Sequence, residues 1–262
     1  MRVPGTYADV VPRVLSGVVL GLVGLAAVLL GGWWFRAAVF VVVAAIAWEL
    51  ARMLAPVVGP GVARIGAVLT GGVVVGAAEL APEAAVALLL VPALLVLTLP
   101  APHRLPVAGY LALACLGAYG FLMLREGFGV LWLLWLALVV IGSDVAGYFA
   151  GRALGGPKLW PRVSPKKTWS GTLAGWGTAL AVGLAFLWPL GQGAGFLLLT
   201  LLVCIAGQAG DIAESALKRR VGVKDSSQLI PGHGGVMDRF DAMLGAAVAF
   251  KLAALAGLVA QG

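Results

Sequence analysis

Long apolar segments separated by short breaks dominate this sequence. A helix needs about 20 mostly apolar residues to cross a bilayer. Nine segments come close to that length: residues 14–31, 33–54, 62–80, 83–100, 107–124, 128–150, 171–190, 193–217 and 242–260. Hydrophobic residues make up 61% of the chain, whereas soluble domains are about 45–50% apolar. The sequence therefore predicts an all-α, polytopic integral membrane protein with about nine transmembrane helices.

The breaks between these segments are short and rich in turn formers, so no long soluble domain fits between the spans. They include Gly31-Gly32, Pro56 to Gly61, Pro100 to Pro106, and Gly127. The first apolar run is longer than the 7–15 residues of a signal peptide, and we expect it to be retained. We predict an N-terminal region of about five spans at residues 1–125. A C-terminal catalytic region at 126–262 then carries two polar loops, at 151–170 and 218–240.

The distribution of basic residues predicts the orientation. With a cytosolic N-terminus, 15 of the 18 Lys and Arg residues fall on the cytosolic side, the exceptions being Arg36, Arg125 and Lys251. This follows the positive-inside rule. The net charge of +7 is then explained by loops that face anionic headgroups, and nucleic acid is not an expected partner. We expect an inner (plasma) membrane protein whose polar loops are cytosolic.

Cysteines and small residues indicate packing. Cys115 and Cys204 lie singly within apolar spans, which excludes a disulfide framework and a Cys-x-x-Cys metal site. Pairs of glycines four apart, such as Gly171 and Gly175, allow helices to approach closely. A homodimer and packing within one chain are both open, and we favour packing within the chain.

Two polar islands interrupt the apolar pattern on the predicted cytosolic side. The first runs from Ser143 to Gly171 and the second from Ser215 to Asp241. Lys166 and Lys167 in the first island, with Lys218 and Arg219 in the second, could hold several phosphates at the membrane surface. Glycines of the sequence Pro-Gly-His-Gly-Gly would let backbone N–H groups approach phosphate oxygens, although a role in the turn alone is also open.

Carboxylates accompany both islands. Asp211, Glu214 and Lys218 are spaced to share one helical face, and Asp238 and Asp241 repeat the three-residue spacing. Mg²⁺ prefers a few carboxylates together with water and phosphate oxygens, so the carboxylates among these residues are candidate ligands. Ion pairing with nearby Lys and Arg residues is the alternative. Charges within apolar spans are costly and are therefore functional candidates. Asp144 is one of them, whereas we expect Glu49 to be structural and to pair with Arg52.

Both islands closely resemble motifs of the phosphatidate cytidylyltransferases, also called CDP-diacylglycerol synthases. In the second island the resemblance is carried by Ser215, Leu217, Lys218, Arg219, Lys224, Asp225, Pro231, His233, Gly234, Gly235, Asp238, Arg239 and Asp241. In the first it is carried by Asp144, Tyr148, Gly151, Arg152 and the run Ser164 to Trp169. The family commonly has Glu at the next position, where this chain has Ser170, so no carboxylate role is expected there.

The resemblance implies a reaction and a set of site residues. The phosphate of phosphatidic acid would attack the α-phosphorus of CTP, giving CDP-diacylglycerol and pyrophosphate with Mg²⁺ as cofactor; a second cation is left open. The implied catalytic residues are Lys218, Arg219, Lys224, Asp225, His233 and Arg239. The implied substrate-binding residues are Ser164, Lys166, Lys167, Thr168, Arg152, Ser215, Gly234 and Gly235. The implied metal ligands are Asp238, Asp241, Asp225, Asp211 and Asp144. His233 would donate to a phosphate oxygen, or it would only cap a turn.

Two other classes of membrane protein are alternatives. A transporter would bind its substrate near the bilayer midplane in broken helices, whereas these polar clusters lie at the cytosolic ends of spans. A CTP-dependent polyprenol or phytol kinase would phosphorylate an alcohol and would need a general base. A phosphate nucleophile is already ionised, and the long match to the cytidylyltransferase motifs favours the transferase.

Overall fold

The protein is helical in the computed structural model, which describes residues 7–55 and 57–259, with side chains from residue 14 onward. The α-helices in this part of the chain are α1 (Tyr7–Leu30), α2 (Gly32–Arg52), α3 (Pro60–Ala77), α4 (Pro82–Thr98), α5 (Arg104–Met123), α6 (Val130–Leu154), α7 (Trp169–Leu187), α8 (Gly195–Val221) and α9 (Met237–Leu255). A π-helical turn, Leu124–Phe128, joins α5 to α6. The predicted all-α polytopic architecture is confirmed.

Local sequence signals account for several helix ends. Pro60 and Pro82 occupy the first turns of α3 and α4, where a missing N–H costs no helical hydrogen bond. Thr168 is the N-cap of α7, and its hydroxyl accepts a hydrogen bond from Gly171 N–H, which satisfies one of the free donors of the first turn. α6 ends at Leu154, and the residue that follows, Gly155, has a φ of 62°, a conformation that favours glycine.

Six helices of the described chain are long and apolar enough to cross a membrane. They are α2, α3, α5 with its π-helical extension, α6, α7 and α8. The apolar parts of α1 (Val14–Leu30) and α4 (Pro82–Thr98) are slightly shorter. α9 carries Asp238, Arg239, Asp241 and Lys251 and does not belong to the six. Arg2, Pro56 and the end of the ninth predicted span at residue 260 lie outside the described residues.

The helix contacts divide the chain into two compact units. One comprises residues 1–115 and 220–240, and the other comprises residues 116–219 and 241–262. In the first unit, α1 packs against α2, α2 against α3, and α3 against α4. The buried face of α2 includes Val43, Ile46 and Leu50, which recur at helical spacing and are completed by the charged Glu49. The predicted division at residue 125 stays a prediction.

Aromatic side chains form the core of the second unit. Trp132 and Trp135 of α6 contact Phe196 of α8 and Phe250 of α9, with ring centroids 4.9 to 6.0 Å apart. Trp135 Nε1 donates to Thr200 Oγ1 at 3.2 Å, so the buried indole keeps a polar partner. This core joins the helices that carry the polar residues of the first island and of the α8 C-terminus.

The predicted packing role of the two cysteines is confirmed. One pair of glycines lets two helices of the same chain pack closely, as we favoured. Cys115 and Cys204 are buried and free. A Cβ built on Gly175 would lie 3.0 Å from the carbonyl oxygen of Ser143, and one on Gly171 would lie 2.5 Å from the carbonyl oxygen of Gly147. The pair Gly171 and Gly175 therefore permits the close packing of α7 on α6 within one chain.

Candidate active site

The C-terminal half of α8 carries acidic residues followed by basic residues. Lys218 Nζ lies 2.6 Å from Oε1 of the buried Glu214, and Ser215 Oγ donates to Asp211 Oδ1 at 3.3 Å. The predicted shared face of Asp211, Glu214 and Lys218 is thus present. α8 has 27 residues, which is about 40 Å at 1.5 Å per residue and exceeds the ~30 Å hydrocarbon core. Its charged end can therefore reach the aqueous side.

Lys167 joins the first polar island to α8. The island contains an antiparallel hairpin of two strands, β1 (Lys158–Trp160) and β2 (Ser164–Thr168). Lys167 lies on β2, and its Nζ is 2.5 Å from Asp211 Oδ2. The sequence predicted only a loop here, since each strand is too short and polar to stand out. The hairpin is what carries Lys167 to the carboxylates.

Asp241 of α9 completes a group of three carboxylates. Each of Asp211, Glu214 and Asp241 offers an oxygen, and these atoms all lie within 4.8 Å of one another. Two glycines bring α9 this close to α8: a Cβ on Gly210 would lie 2.5 Å from the carbonyl oxygen of Asp241, and one on Gly245 would press on the carbonyl of Ala206. Burial and the nearby Asp211 carboxylate raise the pKa of Asp241 to about 7. Three ionised carboxylates at this separation repel unless cations offset their charge.

A cavity of about 520 Å³ lies beside this group. Its wall includes Asp144, Arg152, Lys166, Lys167 and Asp211, along with apolar and neutral polar residues such as Tyr148, Thr168 and Gln208. A volume of roughly 300–1,000 Å³ suits a small-molecule ligand. Six predicted site residues therefore line one cavity: Asp144, Arg152, Lys166, Lys167, Thr168 and Asp211.

Some predicted substrate-binding residues also make contacts within the protein. The hydroxyl of Thr168 caps α7 and lies 3.0 Å from Ser170 Oγ. Ser170, which stands at the position where Glu was expected from the resemblance, donates to the carbonyl oxygen of Gly155. Arg152 donates to the hydroxyl of Tyr148 at 3.1 Å, and Ser164 begins β2. Ser170 thus ties the end of α6 to the start of α7.

The second island includes a tight turn in the first unit. We call residues 222–236 the signature loop. His233 N–H donates to the carbonyl oxygen of Ile230, and Ile230 N–H donates to that of Gly234, both at 2.9 Å. Pro231 and Gly232, whose φ is 76°, occupy the central positions, as in a type II turn. The turn role left open for the Pro-Gly pair is therefore present.

His233 and Arg239 hold this turn from two sides. Arg239 donates twice to the carbonyl oxygen of His233, from Nε at 3.1 Å and from Nη2 at 2.8 Å. Ser16 Oγ donates to the carbonyl of Pro231 at 3.0 Å and lies 2.9 Å from His233 Nδ1. Ser16 has a single hydroxyl proton, so when that proton is donated to Pro231, His233 Nδ1 has to be the donor to Ser16. Nε2 is then left as the acceptor in the neutral ring.

Two carboxylates accept the N–H and hydroxyl groups of the signature loop. Asp238 Oδ2 accepts from Gly235 N–H at 2.8 Å and from Ser226 N–H at 3.1 Å, and it lies 3.0 Å from the hydroxyl oxygen of Ser226. Glu49 of α2 is fully buried and accepts four hydrogen bonds from the loop and the start of α9. The expected pairing of Glu49 with Arg52 is wrong, because the Arg52 guanidinium lies over the Trp48 ring, 4.8 Å from its centroid.

The remaining predicted residues are exposed. Arg219 lies in the last turn of α8, and Lys224 and Asp225 lie in the signature loop. Asp225 is near the turn, since a Cβ on Gly234 would be 3.7 Å from its Cβ. The sequence did not indicate Gln208, which accepts from Trp176 Nε1 at 3.0 Å and lines the cavity. It also did not indicate that Glu49 would bind the signature loop. An amide in an apolar helix was the available signal for Gln208.

Comparison with known proteins gives similarities over most of the chain. The model of the Cytidylyltransferase family matches residues 11–256. The chain is 49% identical over 151 residues to a phosphatidate cytidylyltransferase of Brucella suis, in an alignment that covers 56% of each chain. It is 42% identical over 124 residues to the enzyme of that name from Bacillus subtilis, covering 45% of each chain. The relative from Haemophilus influenzae is 42% identical over 130 residues, with 47% of this chain and 45% of the relative covered.

The extent of these matches decides what they show. The aligned part of the chain spans about half the length of the curated relatives. The family model covers nearly the whole chain, including both polar islands and all the apolar helices apart from the first few residues of α1. The chain belongs to the cytidylyltransferase family.

Proposed function

We propose that the chain is a CTP:phosphatidate cytidylyltransferase, which transfers CMP from CTP to phosphatidic acid and forms CDP-diacylglycerol and pyrophosphate. The observation that carries the proposal is the group of Asp211, Glu214 and Asp241 within 4.8 Å, paired with Lys167 and Lys218. The relatives named phosphatidate cytidylyltransferase supply the substrate class.

The three carboxylates fit a hard divalent cation. Mg²⁺ is bound by a few carboxylates together with waters and substrate phosphate oxygens, and the oxygens of Asp211, Glu214 and Asp241 converge as such a site requires. Asp144, which lines the same cavity as Asp211, would support it. When bound, Mg²⁺ would withdraw charge from the phosphates of CTP. Asp238 and Asp225, the other predicted ligands, remain candidates.

The lipid phosphate needs no general base. A phosphate monoester has its second pKa at about 6, so the attacking oxygen is already ionised at neutral pH. A phosphate oxygen of phosphatidic acid forms a new bond to the α-phosphorus of CTP. The bond from the α-phosphorus to the oxygen that bridges the α- and β-phosphorus atoms breaks, and pyrophosphate leaves. The protein has to position the phosphates and offset their charge.

Basic side chains at the cavity are suited to that task. Lys166, Lys167 and Arg152 line it, and Lys218 lies one helical turn beyond Glu214. Lys167 and Lys218 pair with carboxylates, so they would be shared between those groups and the incoming phosphates. Arg219 and Lys224 are exposed and remain free to move toward phosphate. Ser164, Thr168 and Ser215 are proposed as further polar contacts.

The signature loop is proposed to offer N–H groups to a phosphate. Gly234 has a φ of 84°, a backbone conformation that residues with a Cβ rarely adopt. This conformation sets the direction of the peptide N–H groups at Gly234. His233 would present Nε2 when Nδ1 donates to Ser16, and Arg239 holds the carbonyl of His233. In its imidazolium form His233 would donate from Nε2 to an oxygen of the phosphate. Gly235 is held by Asp238.

CMP transfer is tested by following the label of CTP. With purified protein and phosphatidic acid, we expect label from α-³²P-CTP to enter a lipid product and pyrophosphate to be released. Label from γ-³²P-CTP should enter no lipid, because the kinase reaction would move that phosphate and the transferase does not. Diacylglycerol and polyprenols should not serve as acceptors, since neither brings a phosphate.

The same label experiment can also contradict the proposed transferase. Incorporation of γ-label into an isoprenoid alcohol, with no α-label in any lipid, would replace the transferase by a CTP-dependent kinase. Phosphatidic acid and a matched neutral lipid are compared in the same detergent, so that a change in micelle composition does not mimic acceptor preference.

We propose that the protein lies in the inner (plasma) membrane with its N-terminus and both polar islands in the cytosol. The bias of basic residues and the positive-inside rule support this. A cysteine at Arg162 or at Gln228, both exposed, should be labelled by an impermeant maleimide from the cytosolic side only. A cysteine at the exposed Ala194, between α7 and α8, should be labelled from the opposite side only.

The native cysteines provide the background for this experiment. Cys115 and Cys204 are buried and should stay unlabelled. Labelling of the Arg162 and Ala194 positions from the same side would overturn the orientation. A homodimer is a separate proposal, and cross-linking in native membranes tests it.

A further inference from the structure

We propose that Glu49 is a positioning residue of the transferase, which holds the signature loop and the first turn of α9 in the conformation that the reaction requires. The proposal rests on the proposed function, because it concerns turnover of CTP. Glu49 lies on α2, far in sequence from both polar islands, and would contact no substrate. It would act through the groups that bind its carboxylate.

Four donors converge on the Glu49 carboxylate. Oε1 accepts from Ser227 Oγ at 2.6 Å and from Val236 N–H at 2.8 Å. Oε2 accepts from Ser226 Oγ at 3.0 Å and from Met237 N–H at 2.8 Å. Each oxygen therefore binds one hydroxyl and one backbone N–H. The side chain has no exposed surface, and both of its oxygens are fully engaged.

These bonds explain how a charge can be buried on an apolar helix. A buried carboxylate is costly unless it is paired or well hydrogen-bonded. Val236 and Met237 lie at the N-terminus of α9, where unsatisfied N–H groups and the helix dipole favour an anion. Glu49 thus caps α9 from another part of the chain and fixes the direction in which α9 begins.

Ser226 extends this link to a second carboxylate. Its Oγ lies 3.0 Å from Glu49 Oε2 and 3.0 Å from Asp238 Oδ2. Asp238 in turn accepts from Gly235 N–H at 2.8 Å. Glu49, Ser226 and Asp238 therefore define the path of the loop at the glycines that the proposed reaction would use. Asp241, which belongs to the three-carboxylate group, is one turn further along α9.

The pattern of donors makes the Glu49→Gln variant informative. Gln has nearly the same shape but one acceptor oxygen and one NH₂ group. In either orientation of the amide, the NH₂ would face one backbone N–H, of Val236 or of Met237. The serine hydroxyls can rotate to accept, whereas a backbone N–H cannot. Gln therefore leaves one buried donor facing another without changing side-chain volume.

The test measures turnover and loop order on the same folded protein. We expect Glu49→Gln to lower kcat about tenfold or more, as an unsatisfied buried donor would. Hydrogen exchange of the peptide that spans residues 225–240 should become about tenfold faster, and exchange in α6 and α7 should not change. A role confined to overall stability would lower the yield but leave the specific activity of folded protein at the wild-type value.

Matched variants separate positioning from general damage. Glu79→Gln changes a glutamate that is 66% exposed and pairs with Arg36, and it should leave both readouts at wild-type values. Combining Glu49→Gln with Ser226→Ala should cost much less than the two single losses multiplied, since contacting residues are not additive.

Each result bears on the proposal. Wild-type specific activity in Glu49→Gln, or a loss of activity without faster exchange at 225–240, would overturn it. If wild-type protein transfers no CMP to phosphatidic acid, the proposed function fails. The exchange comparison would then decide by itself whether Glu49 orders the signature loop, so the two failures are distinguishable.

Discussion

In the proposed reaction, an Asp241→Asn variant is expected to transfer CMP at least about a hundredfold more slowly than wild type, since loss of a charged ligand of the proposed metal would remove several kcal/mol of charge stabilisation. Asparagine keeps the size of the side chain and removes the charge. Asp241 lies within 4.8 Å of Asp211 and Glu214, and three charges are what would concentrate a divalent cation at this point.

The response to magnesium provides a second measurement that does not depend on activity. A ligand that binds only the folded state raises the unfolding temperature. Wild-type protein in detergent should therefore unfold at a higher temperature in Mg²⁺ than in a chelator, and Asp241→Asn should lose most of this difference. Without Mg²⁺ the variant should be no less stable than wild type, because it relieves repulsion within the group.

Two other acidic residues serve as comparisons. Glu83→Gln alters an exposed carboxylate in the first turn of α4 and should leave turnover and the magnesium response unchanged. Asp238→Asn should lower turnover, because Asp238 holds Gly235 and Ser226, yet keep the magnesium response. If Asp238→Asn loses that response and Asp241→Asn keeps it, the metal is held at Asp238 and the assignment to the three carboxylates is wrong.

A Gly235→Ala variant is expected to lose turnover by about tenfold to a hundredfold, since overpacking of this kind costs about 1–3 kcal/mol. A Cβ at Gly235 would lie 2.5 Å from Glu49 Oε1 and closer still to Ser226 Oγ. The methyl group would have to push the serine hydroxyl away from Glu49 and Asp238. The loop would then lose the hydrogen bonds that define its path.

The same substitution elsewhere gives the control for Gly235. Gly72 is exposed on α3, and a Cβ there would meet no atom within 4 Å, so Gly72→Ala should retain full turnover. Removing the displaced hydroxyl should make room, and Gly235→Ala combined with Ser226→Ala should recover part of the loss relative to Ser226→Ala alone. Full turnover in Gly235→Ala, measured per folded protein, would contradict the packing at this position.

The positions of most helices could be predicted, because the length of an apolar segment is a local property of the sequence. The polar islands were also visible, as charge is rare elsewhere in the chain, and the spacing of Asp211, Glu214 and Lys218 already indicated one helical face. The hairpin at 158–168 was not predicted, because its strands are short and polar and are positioned by α6 and α7. The ninth predicted span differs from α9, which begins at Met237 and ends at Leu255, since charged residues occupy its first turn.

The sequence by itself determined the membrane class, the family and the two polar islands that we propose carry the chemistry, because hydropathy and motif spacing are local properties of the chain. Only the tertiary structure decided which carboxylates converge and what Glu49 binds. Asp241 joins Asp211 and Glu214 because Gly210 and Gly245 let α8 and α9 touch. Glu49 meets Val236 and Met237 across nearly 190 positions of chain. Such contacts depend on how helices pack, and no local pattern of residues specifies that packing.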